Sequence, residues 1–158
     1  MSMQADKAEI AQIFNNLRRV FQALNEQSKQ AEKLTGLTGP QLWAMVTVLR
    51  EGPLRVSALA EKLYLHPATV VGILNRLEAK GLVVRKRTPK DRRAVEIELT
   101  PEGTTIALGA PEVPQGRLAS GLASCSRGEL QGLCRSLEQL VGILDAQAVK
   151  PLPITHHT

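Results

Sequence analysis

Ten basic side chains fall between residues 55 and 93: Arg55, Lys62, Arg76, Lys80, Arg85, Lys86, Arg87, Lys90, Arg92 and Arg93. Only Glu61, Glu78 and Asp91 oppose them, so this stretch carries a surplus of +7 within a 158-residue chain of net charge +5. The remainder is therefore net −2. Segregation of this kind suits a polyanion partner, because each phosphate that is neutralised releases counterions. A solvated basic loop would carry the same charge, so the surrounding residues must decide. Other chemistry is sparse. Cys125 and Cys134 are the two thiols, too few for a disulfide framework and without zinc spacing. There is no glycine-rich phosphate loop, no metal-ligand cluster and no Ser or Cys with an evident His base. An enzyme is disfavoured, and no cofactor or metal is expected. His156 and His157 match no metal site and fall in an end expected to fray.

The elements that must position the cations can be read from periodicity. Asp6 with Glu9 suggests a capping box. Ile10, Ile13, Phe14, Leu17, Val20, Phe21 and Leu24 then recur at three and four along one long helix, which Gly36 ends. Thr38 and Gln41 cap a second helix with the stripe Leu42, Met45, Val46 and Leu49. Gly52-Pro53 ends it. A short third helix turns Val56, Leu59, Ala60 and Leu63 inward. After Tyr64-Leu65, the pair His66-Pro67 starts a fourth, since proline suits a first helical turn. It runs to Lys80 and closes at Gly81. Two short helices joined so tightly form a helix-turn-helix. The period then changes to two. Residues 82–87 read as a strand and Thr88-Pro89-Lys90-Asp91 as a turn. Val95, Ile97 and Leu99 alternate with Glu96 and Glu98 in a second strand. A hairpin directly after a helix-turn-helix makes a winged helix. Thr100-Pro101-Glu102 opens a fifth helix, with a kink or break expected at Pro111 and Pro114. Leu118 and Leu122 resume it. Ser126 with Glu129 caps a last helix striped by Leu130, Leu133, Leu137, Leu140, Val141 and Leu144.

The fourth helix has an informative outer face. Val70, Ile73, Leu74 and Leu77 anchor one side, and Ala68, Gly72, Asn75 and Ala79 collect on the other, flanked by Thr69, Val71 and Arg76. A glycine in mid-helix costs about 1 kcal/mol against alanine. Close approach to base edges in a major groove would explain it; a plain solvent-facing surface is the alternative. Thr69, Asn75 and Arg76 can hydrogen-bond there, Val71 can meet a thymine methyl, and His66 stands at the helix start. The hairpin is the second candidate reader. Arg85, Lys86, Arg87, Lys90, Arg92 and Arg93 crowd one turn, and an arginine at its tip suits a narrow minor groove. Asp91 is expected to orient a neighbouring guanidinium through a bidentate pair. The plainer alternative is a surface ion pair worth about 0–1 kcal/mol.

The stretch from Leu54 to Thr100, with Lys90-Asp91-Arg92-Arg93-Ala94 followed by Leu99-Thr100, resembles the MarR family of bacterial transcriptional regulators. The resemblance extends over residues 6–145. It implies a mainly α fold with a small β-hairpin wing: a winged helix-turn-helix between N- and C-terminal dimerisation helices, with two helices after the wing. It assigns Asp91 and Arg93 as the wing-tip pair. It implies a homodimer on a pseudo-palindromic operator, repression, and release by a small aromatic or phenolic effector or by cysteine oxidation. Here His66 stands where a small polar cap is usual, and Val71 and Gly72 where Ser, Thr or Arg often stand.

The expected divisions are a dimerisation helix over 1–36, the DNA-binding domain over 37–100, dimerisation helices over 101–147 and a flexible tail over 148–158. The broad apolar stripes at both ends of the chain independently call for a partner copy. Trp43 is a candidate wall of the effector pocket, although core packing would equally explain it. Cys125, just before the last helix, and Cys134 within it are the candidate redox residues, against inert packing. A winged helix serving protein–protein contact is the rival module, but it would need an apolar outer face and no basic wing. No membrane span or signal segment is apparent, and the cytoplasm is the expected compartment.

Overall fold

The chain, described over residues 3–155 by a computed structural model, is built from seven helices and three strands among those residues. In order they are α1 Met3–Thr35, α2 Gly39–Glu51, β1 Leu54–Arg55, α3 Val56–Lys62 and α4 Pro67–Ala79. Then follow β2 Val83–Arg87, β3 Val95–Leu99, α5 Pro101–Leu108, α6 Pro114–Ala123 and α7 Arg127–Ile143. His156 and His157 lie outside the described residues.

The core sits where α2, α3, α4 and the sheet meet. Leu42, Met45, Leu59, Leu63, Val70, Leu74, Leu77, Val83 and Ile97 are fully buried there. Each large apolar side chain removed from water contributes about 2 kcal/mol. The outer elements are different. Helix α7 buries no residue. On α1, Ile10, Ile13, Phe14, Val20 and Phe21 are all exposed.

Local chemistry sets the boundaries. Thr38 and Gln41 form the reciprocal cap of α2, and Ser126 and Glu129 that of α7. Gly36 and Gly81 take φ of +72° and +70°, a conformation that costs glycine little and turns the chain after α1 and α4. Lys80 Nζ donates to the Gly36 carbonyl at 3.1 Å, joining those two ends. Thr100 Oγ1 donates to the Gly81 carbonyl at 2.7 Å and accepts from the Gly103 N–H at 3.0 Å. One hydroxyl thus ties the exit of α4 to the entry of α5. Gly103 is needed at that junction, since an added Cβ would lie 2.0 Å from the Leu82 carbonyl oxygen.

Four expectations are corrected. Helix α1 begins at Met3, so Asp6 lies in its first turn rather than at its cap. The carboxylate still suits that end, where helix dipoles leave positive charge. The wing is part of a three-stranded antiparallel sheet of order β1-β3-β2, with Leu54 opposite Ile97 and Arg55 opposite Glu96. Two residues are too few to show a period in sequence. The β2 strand starts at Val83, one residue later than read. Finally, three helices follow the wing, not two. The prolines complete the break: α5 stops at Leu108, and Pro114 sits in the first turn of α6.

Candidate nucleic-acid interface

Helix α4 packs against strand β2, which leads into the β2–β3 turn. The inner side of α4 is held by buried Val70, Ile73, Leu74 and Leu77. That fixes the outward direction of Ala68, Val71, Gly72, Asn75 and Arg76, all exposed, with Thr69 half-buried. An added Cβ at Gly72 would meet nothing within 4 Å, so no packing demand inside the protomer explains this glycine. His66 is the N-cap: its Nδ1 accepts the Ala68 N–H at 3.2 Å. A neutral imidazole that accepts at Nδ1 carries its proton at Nε2, leaving a donor at the mouth of the helix.

The wing turn is held by Thr88 and Asp91. Thr88 Oγ1 donates to the Asp91 carbonyl at 2.8 Å and accepts the Asp91 N–H at 3.1 Å. The Ala94 N–H reaches the Asp91 carbonyl, and the Thr88 N–H the Ala94 carbonyl. The Asp91 carboxylate does not hold a guanidinium. Its Oδ1 accepts the main-chain N–H of Arg93 at 2.9 Å, so it orders the backbone that carries the tip. Among the described residues no ion pair engages Arg87, Lys90, Arg92 or Arg93, and all four are exposed. They are unneutralised cations on the hairpin that follows α4.

Two other cations are already engaged. Lys86 pairs with Glu98 at 2.7 Å across the sheet. Arg85, expected among the wing contacts, turns back to α4: Nη2 donates to Asn75 Oδ1 at 2.7 Å, and Nη1 pairs with Glu78. Sequence reading placed Thr88 in the turn but not its bonds to Asp91, and it missed Glu78 as the partner of Arg85. The Thr-x-x-Asp spacing at 88–91 was the available signal for the first. Glu78, three residues after Asn75 and therefore on the same helical face, was the signal for the second.

A cavity of about 740 Å³ opens between α2 and the α5–α6 segment. Trp43 lines it with Tyr64, Arg50, Lys62, Ala107 and Gly116. The size falls in the range of small-molecule sites. At its rim Lys62 pairs with Glu51. The Glu51 carboxylate, by hydrogen bond and by charge, raises the Lys62 ammonium above its ordinary pKa. Cys125 is a half-buried free thiol with Sγ 3.5 Å from the Gly121 carbonyl oxygen, and Cys134 is free and exposed. No group of three metal-ligating side chains is found among the described residues. No described helix is long and apolar enough to cross a membrane.

Comparison with known proteins gives one consistent result. Residues 37–95 match the model of the MarR family. The chain is 32% identical over 128 residues to the organic hydroperoxide resistance transcriptional regulator of Bacillus subtilis, covering 79% of this chain and 86% of that one. It is 33% identical over 88 residues to the HTH-type transcriptional repressor MdtR of the same organism, where the match spans 56% of this chain and 57% of that protein. Among solved structures, the transcriptional regulator BldR from Sulfolobus solfataricus superposes with a TM-score of 0.54 at 26% identity, over 90% of this chain and 99% of that one.

Proposed function

Because the chain belongs to the MarR family of DNA-binding transcriptional regulators, we propose that it works as a homodimeric repressor on a pseudo-palindromic operator. In this reading α4 enters the major groove through His66, Ala68, Thr69, Val71, Gly72, Asn75 and Arg76. The wing reaches the flanking minor groove with Arg87, Lys90, Arg92 and Arg93, and Asp91 sets the tip. The observation that carries the reading is a small, open helix face on α4, tied through Arg85 to a hairpin that carries unneutralised cations. The divisions follow: residues 37–100 bind DNA, 1–36 and 101–147 dimerise, and 148–158 form a tail. The partner copy covers the apolar faces of α1 and α7. The protein acts where the chromosome is, in the cytoplasm.

The reading is tested by binding labelled duplex from the region upstream of its own coding sequence, with a salt titration. A shift with sequence preference and a steep salt slope is expected. A weak shift without preference would reduce the activity to generic nucleic-acid binding.

The Trp43 cavity is the proposed effector site, taking a small aromatic or phenolic acid that weakens DNA binding. Trp43 is the sole tryptophan, so a phenolic acid such as 4-hydroxybenzoate should quench the intrinsic fluorescence as it abolishes the DNA shift. A series of such acids that leaves both signals unchanged would remove the effector assignment.

A further inference from the structure

Arg85 belongs to β2 by sequence and to α4 by its contacts. Its side chain is 26% exposed, held between strand and helix. Nη2 donates to Asn75 Oδ1 at 2.7 Å and Nη1 pairs with the Glu78 carboxylate. Asn75 and Glu78 are three residues apart, so one planar guanidinium spans two neighbours on a helix face. A guanidinium carries donors only. The group Asn75 turns toward it must be the carbonyl oxygen, which leaves the NH2 group as the part of Asn75 that can be offered outward.

We propose that Arg85 is a positioning residue rather than a phosphate contact: it ties the wing to the recognition helix and turns the donor end of Asn75 toward base edges. The proposal rests on the reading of α4 as the helix that enters the major groove. An asparagine with both amide groups free pairs with adenine through N6 and N7. One whose oxygen is turned inward to Arg85 meets the N6 donor of adenine with a second donor, and is matched better where acceptors stand alone, as at guanine O6 and N7 or thymine O4. Arg85 thereby sets specificity at a base it does not touch. It also ties the strand at the base of the wing to the helix, since separating β2 from α4 would break both bonds.

The test enriches random-sequence duplexes on the wild-type protein and on Asn75→Ala, Arg85→Ala and Arg85→Lys. Binding of each protein to the wild-type-selected duplex is then followed against salt. Asn75→Ala should lose preference at one base pair of each half-site, where the wild type selects guanine or thymine over adenine. Both Arg85 variants should admit adenine at that pair, losing about tenfold in discrimination, with an unchanged salt slope. Lysine keeps the charge but cannot span both partners in the fork geometry, so it should behave as alanine does.

Two results would overturn the assignment alone. One is a salt slope that falls by about 0.9 in Arg85→Ala and recovers in Arg85→Lys, the mark of a phosphate contact. The other is an unchanged base preference in both variants. A wild-type protein that enriches no consensus would overturn the operator reading and this assignment together.

Discussion

At Gly72 stability and binding should move in opposite directions. The position is mid-helix, exposed, and open to an added side chain. Replacing glycine in a helix interior gains about 0.5–1 kcal/mol. If the helix backbone must approach base edges, Gly72→Leu should raise thermal stability while lowering operator affinity by at least about tenfold, or 1.4 kcal/mol. Unchanged affinity would show that the glycine is merely tolerated. Arg93 is simpler. Its side chain is exposed and has no ion-pair partner among the described residues, while its backbone N–H is held by Asp91. Arg93→Ala should weaken operator binding, lower the salt slope by about one and leave the dimer intact. Gel filtration and a salt titration read the two effects, and an unchanged slope would remove Arg93 from the groove. These residues were legible because they are outward and their types differ from a core. Asp91 and Arg85 were read less well. Charge counting pairs acids with cations, whereas here the acid serves a main-chain N–H and one cation serves the helix behind it.

Elements were legible wherever a period or a cap runs long enough. The stripes of α2 and α4 and the alternation of β3 gave the DNA-binding half from sequence alone. Strand β1 escaped because its two residues have no period, and its membership is set by a register with β3 that only the fold supplies. The start of α1 was misplaced because an acid in a first turn and an acid at a cap look alike in sequence. Helix α7 offers a test of capping. Its Ser126–Glu129 box is reciprocal, with Glu129 accepting the Ser126 N–H at 2.7 Å. That main-chain hydrogen bond, followed by the Ser126 side chain, holds the Glu129 carboxyl below its ordinary pKa. A lowered folded value means the cap contributes fully above the unfolded pKa and is lost as pH falls through the lower folded one. Amide exchange at the start of α7, corrected for intrinsic rates, should therefore quicken only below the ordinary glutamate range. Glu129→Gln should show no such step. A step that persists in the glutamine variant would place the titration elsewhere.

At the scale of the whole molecule, one protomer leaves two apolar surfaces without cover. Phe14 and Phe21 on α1 and Leu133, Leu137 and Val141 on α7 are exposed, and Leu118 and Leu122 on α6 add to them. Helices this apolar on one side are rarely left in water. A second copy related by a two-fold axis would cover both ends at once and would bring two α4 helices to one duplex. The sequence stripes at both ends already called for a partner copy, and the fold leaves these side chains exposed. The half-site spacing follows from that symmetry, about one DNA turn or 34 Å between centres. The direct measurement is a hydroxyl-radical footprint on a selected operator, with the protein-to-duplex stoichiometry measured on the same complex. Two protomers per duplex, protecting two half-sites about 10 base pairs apart, are expected. One protomer per duplex, or a single uninterrupted patch of protection, would contradict the account.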